Sequence, residues 1–200
     1  MYSAAGRRRP PNPCPENAAD CATAPAPSPT HGTATGTSCW TRARAASGRL
    51  NWPVLMTDWV GASAHAQWFR SQSGLPWRLP MSDQWSRATR GVDGRFYPWG
   101  DSFDPSWRAM RDSVHESELS PVDVGSYPVD ESPFGVRDMA SSAKDWCLDG
   151  MRGGRRAVRG GFWRGDAMRA RASSRQKYEP SMRSRHLSFR LARAFPMTNT

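Results

Sequence analysis

A short apolar strand running straight into two glycines, Ala157-Val158-Arg159-Gly160-Gly161, and then into Phe162-Trp163-Arg164, constrains this chain more than any other stretch. Adjacent glycines at a strand end are needed where backbone turns sharply, or where another segment comes too close for a Cβ. With an aromatic read as exposed and a field of arginines behind it, this is the build of a pocket wall.

Two hundred residues allow one ordinary domain plus a tail, and ten tryptophans with seven phenylalanines supply bulky groups for a core. The tail is residues 1–49, rich in Pro, Ala, Thr, Ser and Gly with almost no aliphatic residues, a composition that buries too little apolar area to offset chain entropy. It is expected to be disordered, with the domain at 50–196. No apolar run is long enough to span a membrane. Arg7-Arg8-Arg9 leads into Pro10-Pro11 instead of an apolar stretch, which suits neither a Sec nor a twin-arginine leader, so a cytoplasmic location is expected.

The net charge of +10 is unevenly spread. Residues 151–200 hold 13 basic and 2 acidic groups, and residues 50–150 hold 9 and 14. Arginines of one segment can pair with carboxylates of the other, which argues against a nucleic-acid surface. Lys144 and Lys177 are the only lysines, whereas nucleic-acid arms usually mix both cations. The cysteines, Cys14, Cys21, Cys39 and Cys147, show no C-x-x-C spacing and no nearby histidine suited to zinc. Free thiols are expected, with Cys147 a small buried hydrophobe beside Trp146.

Along the chain, residues 53–56 read as a strand. Ala62, His65, Ala66 and Phe69 define one face of a helix stopped by Gly74 and Pro76. His65 on that face reads as a core or boundary residue. Ser82 can cap a second helix carrying Trp85 and Ala88 and closed by Gly91. Residues 101–133 read as turns, 134–140 as a turn before a strand at Asp145-Trp146-Cys147, and Leu187 to Ala192 as a closing strand. All elements are short, so tryptophans and side-chain to backbone hydrogen bonds are expected to hold the fold together.

His31, His65, His115 and His186 stand in no spacing that builds a triad or an imidazole metal site. Asp138 and Asp145 are the calcium candidates, since hard cations take oxygen ligands from loops; the competing reading gives Asp138 a turn and Asp145 an arginine such as Arg137 or Arg159. Trp163, Arg164, Asp166, Arg169 and Tyr178 are the ligand-pocket candidates, suited to an anionic or peptide ligand. Arg171 and Arg175 are placed to reach inward to carboxylates.

Four ordered segments, residues 53–68, 74–101 (GLPWRLPMSDQWSRATRGVDGRFYPWGD), 132–147 (SPFGVRDMASSAKDWC) and 158–193, resemble the sulfatase-modifying factor domain of formylglycine-generating enzymes. That domain also occurs in ergothioneine-synthesis enzymes and in bacterial proteins linked to Ser/Thr kinases. The resemblance implies a C-type-lectin-like α+β fold with little regular structure, lacking here the N-terminal part that would precede Pro53. It also implies two cysteines after the glycine pair that hold Cu(I), an ion suited to soft thiolates. No cysteine follows Cys147 in this chain, so copper is not expected. Where the family usually has Gly-Asn-Val-Trp-Glu-Trp, this chain has Ser141-Ser142-Ala143-Lys144-Asp145-Trp146, which weakens a calcium turn. The expected function is a degenerate, non-catalytic module for a small-molecule or protein ligand, with a Ser/Thr kinase as a partner the family suggests. The alternative is an oxidoreductase acting on a thiol through Cys147.

Overall fold

The computed structural model describes residues 51–107, 110–111 and 119–193; the tail read at 1–49 lies outside the described residues. Asp58 caps the first helix, Trp59–Ser73 (α1), by accepting from the Gly61 N–H at 2.7 Å. Gly74 ends it at φ 68, a left-handed position that a glycine occupies without steric cost, with its N–H on the Arg70 carbonyl. Ala62 and Ala66 form the buried face. His65 lies at its boundary among Trp68, Phe69 and Phe189, as the spacing predicts.

After a two-residue strand, Trp77–Arg78 (β1), comes the second helix, Ser82–Arg90 (α2), which turns Trp85 and Thr89 inward and ends at Gly91. Ser82 is not its cap. Met81 holds that position, its N–H on Gln84 Oε1 at 3.1 Å, while the Ser82 amide donates to Asp149 Oδ1 at 2.7 Å. A carboxylate brought in by the sheet therefore does the work expected of the serine.

The sheet is built from Lys144–Gly150 (β2) and Arg156–Arg159 (β3). A one-turn helix follows, Ala167–Ala170 (α3), and then Arg175–Tyr178 (β4), Leu187–Ser188 (β5) and Ala192–Arg193 (β6). The strand order is β4-β3-β2-β5, with β5 parallel to β2 and the other neighbours antiparallel. β1 and β6 pair separately. The closing strand read from Leu187 to Ala192 is thus two strands in two sheets. Arg190, between them, turns its side chain back to Asp145, which breaks the extended run. Residues 53–56 form no strand either: Pro53 cannot donate to a ladder, and Met56 sits at φ 62.

β2 divides the core by its two-residue period. Trp146 packs on one side with Ala62, Leu79, Val158 and Leu187. Cys147 packs on the other with Trp85, Met139 and Ala157. Indole N–H groups then tie the segments together, as the tryptophan content predicts. Trp59 Nε1 donates to the Cys147 carbonyl at 2.9 Å, Trp146 Nε1 to Thr57 at 2.8 Å and Trp85 Nε1 to Asp145 Oδ2 at 2.9 Å. The architecture is α+β with modest regular structure.

The glycine pair has the cause its position suggests. A Cβ on Gly161 would lie 1.9 Å from the Ala140 carbonyl oxygen, and one on Gly160 would crowd the Met139 carbonyl and the Trp85 ring. Both glycines are buried, so the pair is an interior seam between β3 and the 139–143 segment.

Candidate functional site around Lys144

Alternation along β2 puts Lys144 on the same side as Trp146, toward the interior. Val158 of β3 pairs with Gln176 of β4, which places Gln176 and Tyr178 on that side too. The result is a lysine side chain only 1% exposed, carried by the strand that forms the centre of the fold. Its Nζ donates to Gln176 Oε1 and, at 3.3 Å, to the Tyr178 hydroxyl, which in turn donates to Gln176 Oε1 at 2.6 Å. The ammonium also lies 4.5 Å from the centre of the Phe162 ring and 5.6 Å from that of Tyr178.

His186 closes another side. Its ring centre is 4.8 Å from that of Phe162 and 6.2 Å from that of Tyr178. Ser184 Oγ lies 2.7 Å from Nδ1, and Nε2 is buried without a partner. In the tautomer in which the serine hydroxyl donates to Nδ1, the imidazole proton resides on Nε2. Arg169, from α3, lies 6.0 Å from the centre of the Phe162 ring and makes a loose ion pair with Asp166 at 3.8 Å. Asp166 also caps α3 by accepting from the Arg169 N–H at 2.9 Å.

Burial, reinforced by Arg169 and opposed by Asp166, brings the Lys144 ammonium down to about 8. Burial, then the charges of Lys144 and Arg169, pushes His186 down to about 4, so its imidazole is neutral near pH 7. Burial raises the Tyr178 phenol. The site therefore combines an amine with a lowered pKa, a neutral imidazole and two aromatic rings, with an exposed guanidinium beside them.

Of the predicted pocket residues, Arg169, Asp166 and Tyr178 gather at this site. Trp163 does not lie open to solvent: it is buried, its indole N–H on the Arg185 carbonyl at 3.3 Å, with exposed Arg164 over its ring at 5.2 Å. Arg175 reaches a carboxylate, Asp149 at 3.3 Å, whereas Arg171 instead covers the Phe96 ring at 5.0 Å. The sequence places none of Lys144, Gln176 and His186 in the pocket, and Phe162 only in the wall after the glycine pair. The available signal was Lys144 itself, a lysine two residues before a tryptophan on a strand that alternates inward.

Asp145 accepts from Trp85 and from Arg190 rather than from Arg137 or Arg159; Arg137 pairs with Glu131, and Arg159 is only its neighbour across the ladder. Asp138, at φ 59, takes the Gly125 N–H on Oδ2 at 2.8 Å. Among the described residues no three His, Cys, Asp or Glu side chains group to hold a metal ion. Gly165 to Ala170, the neighbourhood in which the resemblance places the cysteine pair, offer no thiolate, and Cys147 is buried with its thiol pushed up by burial and by Asp145 and Asp149. This donor set does not fit Cu(I).

The model of the "Sulfatase-modifying factor enzyme 1-like domain" family matches residues 19–195. The chain belongs to this family. The match begins within the segment read as a tail, outside the described residues. Among sulfatase-modifying-factor relatives, the inactive C-alpha-formylglycine-generating enzyme 2 of Bos taurus is 28% identical over 72% of this chain and 51% of its own length. The formylglycine-generating enzyme of Streptomyces coelicolor is 28% identical over 84% of this chain and 65% of its own. The chain thus spans about half to two thirds of these two relatives. A serine/threonine-protein kinase, pkn1 of Chlamydia caviae, is 29% identical over 70% of this chain and 24% of its own length. Among solved structures, PvdO from Pseudomonas aeruginosa superposes with a TM-score of 0.62 at 19% identity, over 72% of this chain and 63% of that one, which shows the shared fold. No helix among the described residues is long and apolar enough to cross a membrane.

Proposed function

We propose that this sulfatase-modifying-factor domain is a ligand-binding module without copper chemistry, whose binding site is the Lys144 cluster. The observation that carries the reading is the segment from Gly165 to Ala170, where the family resemblance calls for a thiolate pair and this chain has an Asp166-capped turn without a cysteine. Similarity to a formylglycine-generating enzyme named inactive supports a non-catalytic member of the family. Partial similarity to a Ser/Thr kinase supports an accessory role beside such an enzyme. Calcium at Asp138 and Asp145 is not required.

The test uses the full chain, titrated with Cu(I) under anaerobic competition and then given a cysteine peptide and oxygen. Neither stoichiometric copper nor peptide aldehyde is expected. Tight one-to-one copper with aldehyde formation overturns the reading.

A further inference from the structure

Lys144 is a buried cation whose contacts are all neutral. Among the described residues its partners are an amide oxygen, a phenol oxygen and two ring faces, and no carboxylate comes within ion-pair distance. Its hydrogen bonds are satisfied, and what the site lacks is negative charge. A buried charge without a counter-charge is an unfavourable arrangement unless something else supplies one. Beside it His186 holds a buried Nε2 with no acceptor, which carries the proton when Ser184 donates to Nδ1. Arg169, beside the Phe162 ring, is about half exposed, and its 3.8 Å contact with Asp166 is longer than a hydrogen bond. The cations Lys144 and Arg169 and the neutral His186 ring thus gather around Phe162, with Asp166 beside Arg169. Phe162 and Tyr178, both half-buried, add apolar ring surface beside these groups.

We infer that the Lys144, His186 and Arg169 constellation binds the carboxylate of a small organic acid, whose hydrocarbon part lies against Phe162 and Tyr178. The carboxylate accepts from His186 Nε2 and from the Arg169 guanidinium, and Lys144 beneath supplies the buried positive charge. A bare inorganic anion would leave the aromatic walls without an apolar partner, so the organic acid is favoured over phosphate. The inference rests on the binding-module reading above and names the ligand class of the same site.

Calorimetric titration of the full chain with 3-phenylpropionate, its uncharged amide and inorganic phosphate tests it. Saturable binding of the acid, at least about tenfold tighter than either comparison compound, is expected. Arg169→Gln, at an exposed position that leaves the core intact, should weaken the acid by about tenfold, and Lys144→Met should remove its advantage over the amide. Equal binding of acid and amide, unchanged affinity in Arg169→Gln, or no saturation by the acid overturns the inference. A negative result here with no copper bound leaves the non-copper reading standing, whereas copper-dependent aldehyde formation removes that reading first.

Discussion

Arg190 clamps Asp145 from forty-five residues away: its Nε donates to Asp145 Oδ2 while its two terminal nitrogens each reach a carbonyl, those of Arg137 and Asp138, at 3.2 Å. One side chain thereby joins the stretch between β5 and β6 to β2 and to the turn before it. The Asp145 side chain is 5% exposed and that of Arg190 28%, so the pair is largely removed from water. Arg190→Met should cost about 3 kcal/mol, because it strands a buried carboxylate, whereas Arg137→Met, which breaks a solvent-screened pair with Glu131, should cost far less. Urea unfolding of the two variants gives the comparison, and equal losses would remove the clamp's special weight.

Lys144 should make the fold more stable in mild alkali. Its amine titrates at about 8 in the folded chain against 10.5 for the free side chain. Between those values the unfolded chain holds a proton that the folded chain has released, so the free energy of unfolding rises as pH increases through the window. The span is on the order of 3 kcal/mol. Thermal melts of the parent and of Lys144→Met from pH 7.5 to 10.5 check this: the parent curve should climb and the variant's should not.

Asp130 should act in the opposite sense at lower pH. It is fully buried, bonded to Ser141 Oγ at 2.6 Å and to the Ala140 N–H at 3.2 Å, and burial, with Asp138 nearby, raises its carboxyl to about 6 from 3.8. Across that interval the folded chain retains a proton the unfolded chain has lost, so this group lowers stability as pH rises from about 4 to 6. Asp130→Asn should flatten that part of the pH profile, measured by urea midpoints; an unchanged slope counts against the assignment.

The seam at Gly161 should tolerate no side chain. Gly161→Ala drives a methyl to 1.9 Å from a backbone oxygen, so β3 or the 139–143 segment must shift, at a cost above about 4 kcal/mol. Gly74→Ala meets open space and carries only the left-handed penalty of about 1 kcal/mol. Soluble yield and melting temperature of the two variants rank them.

Much of this was legible because local chemistry decided it. Gly74 and Gly91 end their helices where the sequence places them, and the glycine pair announces a close approach that the Ala140 carbonyl supplies. The sequence misleads where a distant residue overrides a local rule. Ser82 yields its capping role to Asp149, Asp145 takes Arg190 in place of its ladder neighbour Arg159, and the final strand breaks where Arg190 turns inward. Lys144 stayed hidden for a similar reason. Its neighbours Gln176, Tyr178 and His186 come from β4 and the approach to β5, and only the strand order β4-β3-β2-β5 assembles them.

The reciprocal indole bonds, Trp59 to Cys147 and Trp146 to Thr57, link positions 88 and 89 apart in sequence. Neither can form until a loop of nearly half the chain has closed, and until then α1 has only local partners such as Trp77 of β1, 5.4 Å from Phe69 between ring centres. Contacts of such separation slow folding, since closure entropy is lost before any bond compensates for it. The chain should therefore reach its native state slowly, on a timescale of milliseconds to seconds, with the α1 to β2 staple among the last joints to set and a cut between them among the changes it can least survive during synthesis.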